Sequence, residues 1–105
     1  MPKLAFAPRG ATKGIRDSLP LELPYLLFDF VDAQLEQGLE MDYLQIFELS
    51  VREANGQKLQ YVVHRQEQPK RRTKYMLKYI PNPINLTVWI VDEATHAIIM
   101  LPEEY

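Results

Sequence analysis

The run Leu86–Leu101, LTVWIVDEATHAIIML, is the most apolar stretch of the chain and is broken once, at Asp92-Glu93-Ala94-Thr95. Leu86, Val88 and Ile90 alternate with Thr87, Trp89 and Val91, so both faces of the first half are largely apolar. That is the pattern of an interior strand covered on two sides, and His96–Leu101 repeats it. The stretch therefore predicts two buried strands joined by a tight turn. It also constrains the rest of the chain, because a single helix covers only one face of a sheet. Sheet curvature, the N-terminal arm or another subunit must cover the second.

The cover for the first face lies upstream. Leu23, Leu26, Leu27, Phe30 and Val31 follow the i, i+3, i+4, i+7, i+8 spacing of a buried helical stripe, with Asp29, Asp32 and Glu36 on the other side. Ser18 suits an N-cap, Pro20 a first turn and Gly38 a C-cap. Pro24 places the start of regular helix near Glu22. One amphipathic helix over about residues 20–37 is expected. The period then changes from 3.6 to 2. Tyr43, Phe47, Leu49 and Val51 are apolar, with Gln45 the exception, while Asp42, Glu48, Ser50 and Arg52 are polar, with Leu44 and Ile46 the exceptions. Asn55-Gly56 is a hairpin signal, so residues 42–53 and 58–67 are expected to pair antiparallel. Gln68–Thr73 reads as a basic connection, Lys74–Ile80 as a further strand, and Pro81-Asn82-Pro83 as its stop. Leu4 and Phe6 suggest an edge strand within an arm, residues 1–14. The expected fold class is α+β: one amphipathic helix packed on a curled antiparallel sheet of about five strands, in a single domain, residues 1–105.

Composition narrows the function classes. Apolar residues make up 47% and charged residues 25% of the chain, an ordinary globular mix. The formal net charge of -2 gives no overall attraction to nucleic acid or to an acidic membrane. The absence of cysteine removes disulfides, thiolate metal sites and cysteine nucleophiles. There is no secretory signal pattern and no apolar run of membrane-spanning length, so a cytoplasmic protein with no membrane association is expected. G-x-S-x-G, H-E-x-x-H, C-x-x-C and glycine-rich phosphate loops are all missing, so neither enzyme activity nor a cofactor or metal is expected.

Three constellations remain. Asp92, Glu93 and His96 could hold a divalent metal or do acid–base work, with His64 as the second imidazole, but solvated turn chemistry, with Asp92 bonding its own backbone, is the preferred reading. The basic set Arg65, Lys70, Arg71, Arg72, Lys74 and Lys78 is interleaved with Tyr75 and Tyr79. Bases and aromatics so arranged can track a phosphate backbone and stack bases, and the six cations are the candidate partner-binding residues; a solubilising loop, with the tyrosines in the core, is the other reading. The acids Glu36, Glu40, Asp42, Glu48, Glu103 and Glu104 read as a solvated face.

The segments RGATKGIRDSLPLELPYLLFDFVD, MDYLQIFELS and VWIVDEATHAIIMLPEEY, in that order, resemble a staphylococcal-type family of unknown function. Its members are small proteins of low-GC Gram-positive bacteria and their phages and mobile elements. The resemblance transfers no functional residue. It implies a bacterial accessory protein, and with the missing motifs it leads to a non-enzymatic protein-binding module as the expectation. The partner would be a host or defence protein, inhibited by the binding. A nucleic-acid binder using Arg65–Tyr79 is the alternative, and homo-oligomerisation would cover the second face of the Leu86–Leu101 hairpin.

Overall fold

The computed structural model describes residues 5–105. In chain order the elements are β1 (Arg9–Ala11), α1 (Lys13–Ser18), α2 (Leu23–Glu36), β2 (Leu44–Ala54), β3 (Gln57–Glu67), β4 (Lys70–Leu77), β5 (Leu86–Asp92) and β6 (Ala97–Met100), followed by a 3-10 turn at Pro102–Glu104. The strands form one sheet in the order β1-β6-β5-β2-β3-β4. Strands β2 to β6 pair antiparallel, and β1 joins β6 in parallel. The fold is α+β, with the expected five antiparallel strands and a sixth short strand contributed by the arm. That sixth strand is not where the sequence suggested. Leu4 lies outside the described residues, and Phe6 has φ 51° and sits fully buried in the core rather than in a strand.

The expected helix is present as α2, and a short helix, α1, precedes it. Thr12 caps α1 by accepting from the Ile15 N–H, and Ile15 is its buried residue. Pro20 ends it: the residue before a proline is pushed to extended backbone, and Leu19 has φ -110° and ψ 146°. Ser18, expected as an N-cap, is instead the last residue of α1. Helix α2 begins at Leu23 with Pro24 in its first turn, where a missing N–H is tolerated. It ends in a Schellman arrangement: Gly38 N–H donates to Leu35 O and Leu39 N–H to Gln34 O, with Gly38 at φ 75°. The stripe Leu23, Leu27, Phe28 and Val31 is buried against the sheet. Each such side chain contributes about 1.5–3 kcal/mol by leaving water.

The sheet face beneath the helices carries Phe47 and Leu49 of β2, Val62 of β3, Val88 and Ile90 of β5, and Ile99 of β6, all in one core cluster. Asn55 and Gly56 both have positive φ and join β2 to β3 with a two-residue turn, as expected. The expected strand Lys74–Ile80 is instead Lys70–Leu77, so the basic connection is mostly strand. The reason is positional. β4 is a sheet edge, and charged side chains on an edge strand guard it against pairing with another chain. The connection after β4 is tied down by buried Gln60, which accepts from Ile84 N–H at 2.8 Å and donates to Ile84 O at 3.0 Å.

Two polar groups hold the chain ends. Asp92 accepts from Phe6 N–H at 3.1 Å and from Ala94 N–H at 2.8 Å. Glu104 accepts from Thr12 Oγ1 at 2.6 Å, Leu101 N–H at 2.8 Å and Gly14 N–H at 3.1 Å. The Thr12 hydroxyl, then the Leu101 N–H, hold the Glu104 carboxyl below its ordinary pKa. The β5–β6 turn places Ala94 at φ 73°, a conformation that costs a residue with a Cβ roughly 1–2 kcal/mol. Ala94→Gly relieves this but raises the entropy of the unfolded chain, for a net gain of about 0.5–1 kcal/mol. The urea midpoint should rise with an unchanged slope; an unchanged or lower midpoint refutes it.

Candidate functional site

Alternation along β3 and β4 splits the basic set in two. Odd positions of β3 and even positions of β4 face away from the helices. Arg65 stands opposite Arg72, Val63 opposite Lys74, and Glu67 opposite Lys70. Arg65, Lys70, Arg72 and Lys74 therefore share the open face of the sheet. Lys78 is exposed just past the end of β4. Arg71 goes the other way, into the interior. Arg65 also reaches Glu48 of β2, Nε to Oε1 at 3.4 Å. Like charges directly opposite in a sheet are destabilising, so the Arg65–Arg72 pair is a local cost that Glu48 offsets only on one side.

The rest of the open face is apolar. One cross-strand row runs Met100, Trp89, Ile46, Arg65, Arg72, from hydrocarbon to cation within five strands. Leu44, Val91 and Ile98 form the next row. Both helices pack on the opposite face, so the cover here is local. Tyr105 meets the Trp89 ring edge-on at 5.6 Å. It also lies near Tyr43, whose hydroxyl it pushes above the ordinary pKa, chiefly through charge. With these neighbours Ile46, Val63, Val91 and Met100 are buried without a covering helix. Met76 and Tyr43 remain close to half exposed, at 45% and 46%. Arg52, which the sequence reading did not single out, belongs here too, its guanidinium 4.4 Å from the Tyr61 ring centre. Its even position in β2, in phase with Glu48, was the available signal.

Arg71 completes a buried polar network under the C-terminal half of α2. It donates to Gln34 Oε1 at 2.8 Å, Gln66 Oε1 at 3.0 Å and Glu40 O at 2.9 Å. Gln45 donates to Gln66 Oε1 at 2.9 Å and to Asp42 O at 2.8 Å, which leaves its own Oε1 to accept from His64 Nε2 at 2.6 Å. His64 is therefore the Nε2–H tautomer, stacked on Phe47 at 4.3 Å and 1% exposed. Burial, then the Arg71 charge, lowers its pKa from 6.5 to about 4. Gln45, the exception to alternation, and His64 are thus parts of the core. His96 is exposed and bonded to the Thr95 side chain, and Asp92 serves backbone N–H groups. Among the described residues no cluster of three or more His, Asp or Glu side chains is arranged to hold a metal ion.

Two measurements separate the interior from the open face. The unfolded imidazole takes up its proton near pH 6.5 and the folded one only near 4, so stability is full above pH 6.5, falls as pH drops, and levels off below about 4. The His64 contribution lost between pH 6.5 and 5 is about 2 kcal/mol. In urea titrations at the two pH values, His64→Gln should remove that part of the pH dependence; a variant that keeps it refutes the assignment. Arg71→Ala leaves the buried Gln34 amide oxygen unpaired and removes charged hydrogen bonds to Gln66 and Glu40, and should cost about 2–3 kcal/mol, whereas exposed Arg72→Ala should change stability by about 0.5 kcal/mol or less. Equal midpoints for the two variants would contradict this division.

A search of curated proteins finds no match. Among solved structures, the crystal structure of a protein of unknown function from Enterococcus faecalis matches with a TM-score of 0.72 and 24% identity, over 92% of this chain and 89% of that one. At that identity the likeness shows a shared fold. The model of a family described as staphylococcal protein of unknown function (DUF960) matches residues 8–104. With nearly the whole chain matched, from Pro8 within the arm to the Glu104 clamp, the protein belongs to that family.

Proposed function

We propose that the chain is a non-enzymatic protein-binding accessory module that docks an acidic partner surface on the open face of its sheet. One observation carries the reading: Arg65, Lys70, Arg72 and Lys74 project from a single face, beside apolar side chains that stay accessible there, half-buried Trp89, Met76 and Tyr105, in a chain whose net charge is -2. A charged zone next to an apolar zone with an aromatic anchor is the anatomy of a protein interface. The Arg65–Arg72 repulsion is relieved when carboxylates of a partner sit over it. In its specific form the partner is a cytoplasmic host or defence protein of the bacterium, inhibited by the binding. That form rests on the family's resemblance to products of mobile elements. No helix of the described residues is long and apolar enough to cross a membrane.

A second reading uses the same cations. Tyr61 and the guanidinium groups could serve a single strand of nucleic acid. The accessible apolar side chains favour a protein, because a nucleic-acid track would run along charged and aromatic residues only.

The double variant R72E/K74E tests both, since each residue is exposed and stability should be kept. Wild type and variant are used as baits in bacterial lysate, and each is titrated against single-stranded DNA and RNA on gels at low salt. The expected result is an acidic protein captured by wild type, released as salt rises, and lost about tenfold or more in the variant. Equal capture by both baits overturns the open face as the site. A wild-type shift of nucleic acid that the variant abolishes, with no differential protein capture, overturns the protein reading in favour of the second.

A further inference from the structure

The other edge of the sheet carries a different kind of site. A groove of about 450 Å³ lies between β1, α1 and the first half of α2. Ala11, Ile15, Leu19 and Phe28 line it, and Leu21 and Tyr25 stand on its rim at 81% and 69% exposed. Large apolar side chains in solvent beside an apolar concavity mark an interaction site. The N-terminal prolines explain why they are there: Pro20 and Pro24 fix the connection and the first turn so that Leu21 and Tyr25 point away from the buried stripe.

Among the described residues, the wall made by β1 has a free edge. Thr12 N–H donates to Ile99 O at 3.1 Å and Ala97 N–H to Pro8 O at 2.7 Å. In a parallel ladder this directs residues 8, 10 and 12 toward β6 and turns the backbone N–H and C=O of Arg9 and Ala11 outward. β1 is the last strand of the sheet on this side. The opposite edge, β4, is guarded by Lys70, Arg72 and Lys74, whereas the one charged side chain of β1, Arg9, is held down by Asp32 and lies 4.5 Å from the Phe28 ring. Among the described residues these backbone groups are unpaired beside an apolar groove, with no charge projecting across them.

We infer that this groove binds an extended peptide segment of a partner protein, added as a strand along β1, with one large apolar side chain seated between α1 and α2. Strand addition supplies affinity through main-chain hydrogen bonds, and the pocket selects the side chain. The rim sets polarity. Among the described residues Arg16 and Asp29, on its α1 and α2 sides, make no ion pair. The segment therefore carries an acid toward α1 and a base toward α2. The site is separate from the open face and stands or falls independently of it.

A phage-displayed library of random heptapeptides, panned on the full chain, supplies the probes. Enriched peptides are made with a fluorescent label and titrated by anisotropy against wild type, L21E/Y25E and R72E/K74E. Leu21 and Tyr25 are exposed, so their replacement leaves the fold intact, which circular dichroism checks. The expected peptides alternate apolar and polar residues and carry one acid and one base. L21E/Y25E weakens them about tenfold or more, the loss of a central anchor, while R72E/K74E binds as wild type does. Methylation of the peptide backbone N–H groups that face β1 weakens them similarly. No enrichment, equal binding to L21E/Y25E, or indifference to backbone methylation overturns the proposal. So does a dimer, seen by light scattering, that L21E/Y25E dissolves, because a second copy would then be the occupant.

Discussion

Two short helices can cover only one face of a six-stranded sheet, and the rest of this molecule is arranged around that limit. The apolar stripe of α2, with Ile15 and Leu19, closes the face built from Phe47, Val62, Val88, Ile90 and Ile99. What the helices do not reach must be treated in another way. Toward β3 and β4 the interior beneath α2 turns polar, and Gln34, Gln45, His64, Gln66 and Arg71 hydrogen-bond to one another, with the Arg71 Nε left without a partner. Such a network stabilises only when nearly complete, which is why it ties helix, loop and both strands together. On the uncovered face, Trp89 and Tyr105 shield the apolar strip, and cations occupy the remainder.

This division places the two proposed contacts on different physics. The open face offers a broad surface where Coulomb attraction guides approach and Trp89, Met76 and Tyr105 supply the burial. The groove at β1 offers main-chain hydrogen bonds and one pocket. The two edges of the sheet differ in the same sense: β4 repels strand addition by charge, and β1 does not.

The fold class, the α2 stripe and its glycine C-cap, the β2–β3 hairpin and the Asp92 turn were readable from residues alone, because each is a local preference repeated at a fixed period or a turn with one favoured chemistry. α1 was not, since six residues give less than two turns of periodicity and its cap is a single threonine. β4 was displaced because a run of lysine and arginine looks like a loop until its place at the sheet edge is known. The exceptions to alternation in β2 carried the most information. Gln45 marks the polar network, and Leu44 and Ile46 mark the apolar strip of the open face.

The sequence by itself determined which residues alternate and which turn, and so the α+β class and the strand count to within one. Tertiary structure alone decided which cations act together. Arg71 and Arg72 are neighbours in the chain and opposites in space, because a strand sends successive side chains to opposite faces and only the position of α2 tells which face is inside. It also decided that a parallel strand from the arm would end the sheet with a free edge against two helices. No local pattern encodes that edge, since it depends on contacts between residues almost ninety positions apart, such as Gly10 beside Ile98.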